Sequence, residues 1–115
     1  MPDDCLFCKI IAGDIPSNKV YSDADVYAFE DINPVAPTHI LVIPRKHLGS
    51  IQDAEEEDQA LLGKLLLSAN RIAREQNLAE TGFRYVVNTG DEGGQTVHHL
   101  HLHIIGGRQC TWPPG

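Results

Sequence analysis

The chain has 115 residues, 42% of them hydrophobic, and a formal net charge of −7. That length suits one domain with a single core, and no apolar run approaches the roughly 20 residues a bilayer span needs. An acidic chain is a poor candidate for broad nucleic-acid binding, which uses basic surfaces, although a local site can still take the phosphate of a single nucleotide.

The start, Met-Pro-Asp-Asp-Cys, has neither the basic end nor the apolar centre of a signal peptide, so a cytoplasmic protein is expected. Cys5-x-x-Cys8 reads as half of a metal site, a pair of buried thiols, or a redox pair; with three cysteines in all, a disulfide framework is not indicated. Residues 5–12 are predicted to form a short helix stopped at Gly13. Lys19–Ser22 and Val26–Phe29 read as two strands of a hairpin around Asp23-Ala24-Asp25. Residues 33–37, with two prolines, must be irregular, and His39–Ile43 is a third strand ended by Pro44.

Asp53 with Glu56 reads as a helix-capping pair, and the apolar residues from Leu61 to Ala73 recur at helical spacing, so a long helix is predicted over about 54–76. The acidic run Glu55–Asp58 resembles a metal site but suits the positive end of that helix better. A fourth strand covers Phe83–Asn88. A glycine-bearing loop, Thr89–Thr96, then leads to Val-His-His-Leu-His-Leu-His-Ile-Ile-Gly-Gly, residues 97–107. Here four of the six histidines fall within six residues. Alternation of period two predicts a fifth strand, with His99, His101 and His103 on one face at steps of roughly 6.5–7 Å and Leu100, Leu102 and Ile104 behind. His98 should share the leucine side. A row of imidazoles serves either metal binding or nucleophilic and proton-transfer chemistry. The tail 111–115, with Trp112 and two prolines, extends no sheet or helix. The whole chain, 1–115, is one domain of α+β class: a mainly antiparallel five-stranded sheet, one long helix and a short N-terminal helix.

His99-Leu100-His101-Leu102-His103-Ile104-Ile105 resembles the histidine triad motif of the HIT family. The segments Phe7-x-Lys9-Ile10-Ile11, Ala28-Phe29-x-Asp31-Ile32, Ala36-Pro37-Thr38-His39, Val42-Ile43-Pro44-x-Lys46-His47 and Gly93-Gly94-Gln95 are similar to its Hint branch, as are Gly106-Gly107-Arg108-Gln109 and the Trp-Pro-Pro-Gly tail. The resemblance implies a homodimeric nucleotide hydrolase, a purine nucleoside phosphoramidase that releases AMP and an amine through a nucleotidyl-histidine intermediate, with no organic cofactor, membrane or nucleic-acid partner. It implies His101 as nucleophile and His103 as donor to a phosphate oxygen. His99 would orient the nucleophile or ligate a metal, and His39 would join a proton relay. For the nucleotide it implies Phe7, Ile10, Phe29 and Ile32 around the base and Asp31 at the ribose. Asn88, Gly94, Gln95 and Thr96 would lie at the phosphate, and Trp112 near the partner's site. Zinc-carrying relatives imply structural zinc on Cys5, Cys8, His47 and His99. The competing readings are a dinucleoside polyphosphate hydrolase or other HIT nucleotidyl hydrolase or transferase, a three-histidine metallohydrolase, and a non-enzymatic nucleotide- or zinc-binding module.

Overall fold

The computed structural model describes residues 4–115. The chain runs α1 (Leu6–Ala12), β1 (Lys19–Ser22), β2 (Val26–Glu30), β3 (Thr38–Pro44), α2 (Gln59–Glu75), β4 (Phe83–Val86) and β5 (Leu102–Gly106). The five strands form one sheet in the order β1-β2-β3-β5-β4, and every pairing is antiparallel. No helix among the described residues is long and apolar enough to cross a membrane.

The sheet is covered on both faces, and the alternation of its strands sorts the residues between them. Val26, Ala28, Ile40, Val42, Leu102 and Ile104 turn to one side, where Leu65, Ala69, Ile72 and Ala73 of α2 meet them. Those four helix positions recur at i, i+4, i+7 and i+8, the apolar stripe of a surface helix. On the other side Phe29, Leu41 and Ile43 pack against Cys5, Phe7, Cys8 and Ile10 of the α1 segment. β3 and β5 pair with Leu41 opposite His103 and His39 opposite Ile105. Directly opposed residues share a face, so His39 and His103 lie on the α1 side, diagonal to one another.

β4 ends at Val86 rather than Asn88, and three larger differences from the sequence reading concern the long helix and the triad segment. The long helix begins at Gln59, not 54. Two single 3₁₀ turns, Ile51–Asp53 and Glu56–Asp58, precede it, separated by Ala54 and Glu55 in extended conformations. The capping residues are also different from Asp53 and Glu56. Ser50 Oγ accepts from the Gln52 amide, and Asp58 Oδ2 accepts from the Glu55 amide at 3.0 Å. Asp58 is buried, and its other oxygen takes Lys46 Nζ at 2.6 Å, so the acidic run is closed by a lysine and a backbone amide. The third difference is in the triad segment. Its strand starts only at Leu102, because the Leu100 amide turns to donate to the Leu48 carbonyl at 2.7 Å rather than joining the sheet. Leu100 is buried in the core all the same, whereas His98 is exposed and does not pack with the leucines.

Helix α1 is capped as its sequence suggests. Gly13 ends it at φ 85°, and its amide returns to the carbonyls of Lys9 and Ile10. Only a residue without Cβ takes that conformation freely. Cys5 stands just outside the helix as its N-cap, its sulfur accepting from the Cys8 amide at 3.3 Å. The first turn thereby brings two sulfurs together beneath the triad segment.

Candidate active site and metal cluster

His99, His101 and His103 sit on one side of the chain but are held by different partners. A neutral imidazole has one N–H and one lone pair, and its partners decide which nitrogen is which. His99 is fully buried, and its Nε2 lies 2.8 Å from the Pro44 carbonyl. A carbonyl only accepts, so Nε2 carries the proton and Nδ1 presents a lone pair. That lone pair faces Cys5 Sγ at 3.4 Å, Cys8 Sγ at 3.5 Å and His47 Nδ1 at 3.1 Å, while Cys8 Sγ is 3.4 Å from His47 Nδ1.

The four atoms lie within 4.8 Å of one another. Zinc held at about 2.3 Å from sulfur and about 2.05 Å from nitrogen in a tetrahedron would set S–N edges of about 3.6 Å and an N–N edge of about 3.3 Å. These four separations fall within about 0.2 Å of those edges. Burial, with the Cys5 thiol beside it, pushes the Cys8 thiol up to about 11. Two thiolates and two imidazoles complete a tetrahedron with no open position, the pattern of a structural zinc site.

His101 is oriented by the same residue, but through its backbone. Its Nδ1 lies 2.7 Å from the His99 carbonyl, so Nδ1 carries the proton and Nε2 keeps its lone pair. The orienting group is thus the His99 peptide, with the His99 ring turned away to the sulfurs. Burial lowers the affinity of His101 for a second proton.

His103 is the end of a longer chain of hydrogen bonds. The Val35 amide donates to His39 Nδ1 at 3.1 Å, and His39 Nε2 lies 2.8 Å from His103 Nδ1 and 3.4 Å from Asp31 Oδ2. The amide fixes the lone pair of His39 on Nδ1, so its Nε2–H donates to His103. The His103 proton is then on Nε2. Among the described residues that nitrogen is the one buried side-chain nitrogen or oxygen atom without a partner. Burial, reinforced by His101 and His39, depresses His103 to about 4, and burial also lowers His39. All these rings are neutral at pH 7.

His101 and His103 open into a cavity of about 280 Å³ whose lining includes Phe7, Ile10, Phe29, Asp31, Ile32 and Thr96. Phe7 stands edge-on to Phe29 and to His101, which fixes one wall of the cavity. Ile32 is 87% exposed, so it forms part of the rim rather than an enclosing wall. One end is aromatic and aliphatic; the other is lined by His101, His103 and Asp31. Such a cavity suits a flat apolar group joined to an anion.

Several residues expected at the phosphate are used elsewhere. The Gly94 and Gln95 amides donate within their own turn, to the Asp91 and Gly90 carbonyls. The Gln95 side chain is spent on Gly49, Gly90 and Val97. Gln95 therefore braces this loop, and neither amide is aimed at an anion. Asn88, Gly94 and Gln95 do not line the cavity, and Trp112, 82% exposed, lies outside it. Sequence reasoning missed the Pro44 carbonyl and the Val35 amide; both are backbone groups, for which residue type gives no signal.

Residues 12–110 match the family model described as HIT domain. Over the full length of both chains the protein is 51% identical to an uncharacterized HIT-like protein of Synechococcus elongatus and equally so to one of Synechocystis sp.. A HIT family hydrolase from Legionella pneumophila has the same fold at a TM-score of 0.96 and 50% identity, covering 97% of this chain and 100% of that one. A histidine triad nucleotide-binding protein from Candida albicans superposes at 0.82 with 31% identity, covering 96% of this chain and 83% of that one.

Proposed function

The chain belongs to the HIT family, and from that premise we propose that it is a purine nucleoside phosphoramidase, hydrolysing adenosine 5′-phosphoramidates to AMP and an amine. The observation that carries the reading is the pair of opposite nitrogens on two histidines that line one cavity: a lone pair on His101 Nε2 and a buried, unpartnered N–H on His103 Nε2. The first suits attack on phosphorus and the second suits a phosphoryl oxygen.

In this reading His101 Nε2 forms a bond to the α-phosphorus as the P–N bond to the amine breaks, and the amine takes up a proton from solvent water. The resulting imidazolium keeps its Nδ1–H on the His99 carbonyl. Water then cleaves the nucleotidyl-histidine bond and gives up a proton to solvent, releasing AMP and restoring the neutral ring. His103 holds a phosphoryl oxygen through both steps. Phe7, Ile10, Phe29 and Ile32 receive the base, and Asp31 accepts from the ribose hydroxyls. His39 supplies the donor that sets His103; its far nitrogen is closed by the Val35 amide, so it has no open end for a relay. Thr96 completes the phosphate end.

Cys5, Cys8, His47 and His99 are proposed to hold structural zinc. Bound there, the metal would keep two thiols ionised and tie α1 to the triad segment; the histidines facing the substrate are separate from it. A homodimer in the cytoplasm completes the proposal. β4 is an open edge of the sheet, with Phe83 and the adjoining Val87 partly exposed, and an unpaired edge with apolar side chains favours pairing with a second chain. Turnover of adenosine 5′-phosphoramidate and of diadenosine polyphosphate should be measured side by side, with the covalent adduct trapped and mapped. Faster turnover of the phosphoramidate, with adenylate on His101, supports the reading. Faster polyphosphate turnover, or no adduct, overturns it.

A further inference from the structure

The irregular segment between β2 and β3 looks like a connector, yet its backbone touches the active site. The Val35 amide donates to His39 Nδ1. The segment is in turn held from the end of β5. Arg108 Nε donates to the Val35 carbonyl at 2.9 Å. Gly107 adopts φ 89°, and a Cβ there would come within 2.9 Å of Pro37. Gly107 and Arg108 thus clamp the two ends of a short proline-bounded stretch. Val35 itself is 56% exposed, so its side chain contributes little; its peptide groups make both contacts.

We propose that the Val35 backbone amide, held by the Gly107–Arg108 turn, is a positioning group that locks His39, and through it His103, in the tautomer that aims a donor at the substrate phosphate. This rests on the phosphoryl-transfer reading above. An amide N–H cannot accept, so while it faces Nδ1 that nitrogen can be neither a donor nor doubly protonated with its neighbour. His39 must then donate from Nε2, and His103 must carry its proton on Nε2. Asp31 Oδ2 favours the same His39 proton at 3.4 Å, but a carboxylate alone would equally stabilise a cationic ring. The amide, together with the burial of the ring, excludes the cation. With it removed, Nδ1 of His39 is free to gain a proton, by tautomer exchange or by charging beside Asp31. Exchange would turn a lone pair of His103 on the phosphate; charging would place a second proton on a ring that otherwise carries one.

The test replaces Val35 by its α-hydroxy acid, so that an ester oxygen stands where the N–H was. Nitrogen-15 spectra of the histidine rings report each proton position directly, independently of turnover. In the unaltered protein at pH 7, His39 and His103 should both carry a proton on Nε2 only. In the ester variant, His39 Nδ1 should become protonated in a substantial fraction of molecules. A mis-set histidine tautomer can cost up to about 10⁴ in rate; here kcat should fall at least about tenfold, with AMP affinity changing much less. Arg108→Met, a change at an exposed side chain, should shift the same resonances in the same direction with a several-fold loss of kcat. Arg108→Lys should restore little, because an ammonium does not reproduce the planar Nε–H. Unchanged ring protonation in the ester variant overturns the proposal, whatever the activity. If protonation shifts as expected while unaltered protein hydrolyses no phosphoramidate, the functional reading fails and the tautomer lock stands.

Discussion

Removing metal from the Cys5, Cys8, His47 and His99 cluster is expected to cost stability much more than activity. The cluster joins three separate stretches: the first turn of α1, the segment after β3, and the approach to β5. Only the folded chain assembles all four ligands, so bound metal adds RT ln(1 + [L]/Kd), about 2.7 kcal/mol when free zinc stands 100-fold above Kd. An unfolding entropy of about 2.1 cal/mol/K per residue gives about 0.24 kcal/mol per degree for a chain of 115 residues. Chelation should therefore lower Tm by about 11 °C. The core between the sheet and α2 does not involve the cluster, so the stripped chain should still fold. Hydrolysis should fall less than about tenfold, since His101 and His103 keep their own partners. Cys5→Ser with Cys8→Ser should melt like the stripped protein and ignore added zinc. Calorimetry with and without zinc, beside elemental analysis, reads all of this. Protein purified without chelators that holds no zinc, and whose Tm does not move when zinc is added, would refute the assignment.

His101→Ala should abolish phosphoramidate turnover by several orders of magnitude while AMP still binds, because the cavity walls and Asp31 remain; a variant retaining a tenth of kcat would exclude His101 as nucleophile. His103→Phe should lower kcat by about 10²–10³, the usual cost of one transition-state donor, and stopped-flow adduct formation should show the loss in the first chemical step. Stability should fall as pH drops from about 6.5 toward about 4. In that window the unfolded chain binds a proton at His103 that the folded chain refuses, and His39 and His101 add in the same direction. The depressed carboxyls of Asp23 and Asp58 act only below their ordinary range near pH 3.8, so they do not blur it. Urea midpoints of metal-stripped protein that stay level between pH 7 and 5 would contradict this. Light scattering at tens of micromolar should give a dimer mass, and a monomer would remove the proposed edge-strand pairing.

Most of the fold was legible because it rests on side-chain periodicity. The five strands, the glycine stop of α1 and the apolar stripe of α2 all follow from residue type and spacing. The misplacements occur where a backbone group found a partner that no pattern announces. The triad alternates perfectly, yet the Leu100 amide goes to the Leu48 carbonyl and the strand begins two residues later. The helix start moved because Ser50 and Asp58 took the capping roles in two short turns. At the site, the type of each residue named the chemistry, but not its state. Three histidines two apart look equivalent in sequence. What distinguishes them is the Pro44 carbonyl for His99, the His99 carbonyl for His101, and the His39 ring for His103. Gln95 shows the converse: its type suits a phosphate contact, but its amide is used up bracing the loop.

Alternation therefore does more than line up three rings. It places a peptide carbonyl between the first and second histidine, and that single peptide divides two functions. The His99 ring belongs to the sulfur cluster, and its carbonyl belongs to the nucleophile. A side chain anchored by the Pro44 carbonyl holds its own backbone still, and so holds the His101 tautomer. At the opposite end the Val35 amide sets His39 and His103 by the same means. Both neutral rings that face the cavity thus take their protonation pattern from main-chain groups, which cannot titrate and have few alternatives once folded. A site that needs one bare lone pair and one N–H, side by side and neutral at the same pH, is well served by that arrangement. Two unassisted imidazoles with similar pKa values would exchange tautomers freely and hold the required pair only part of the time.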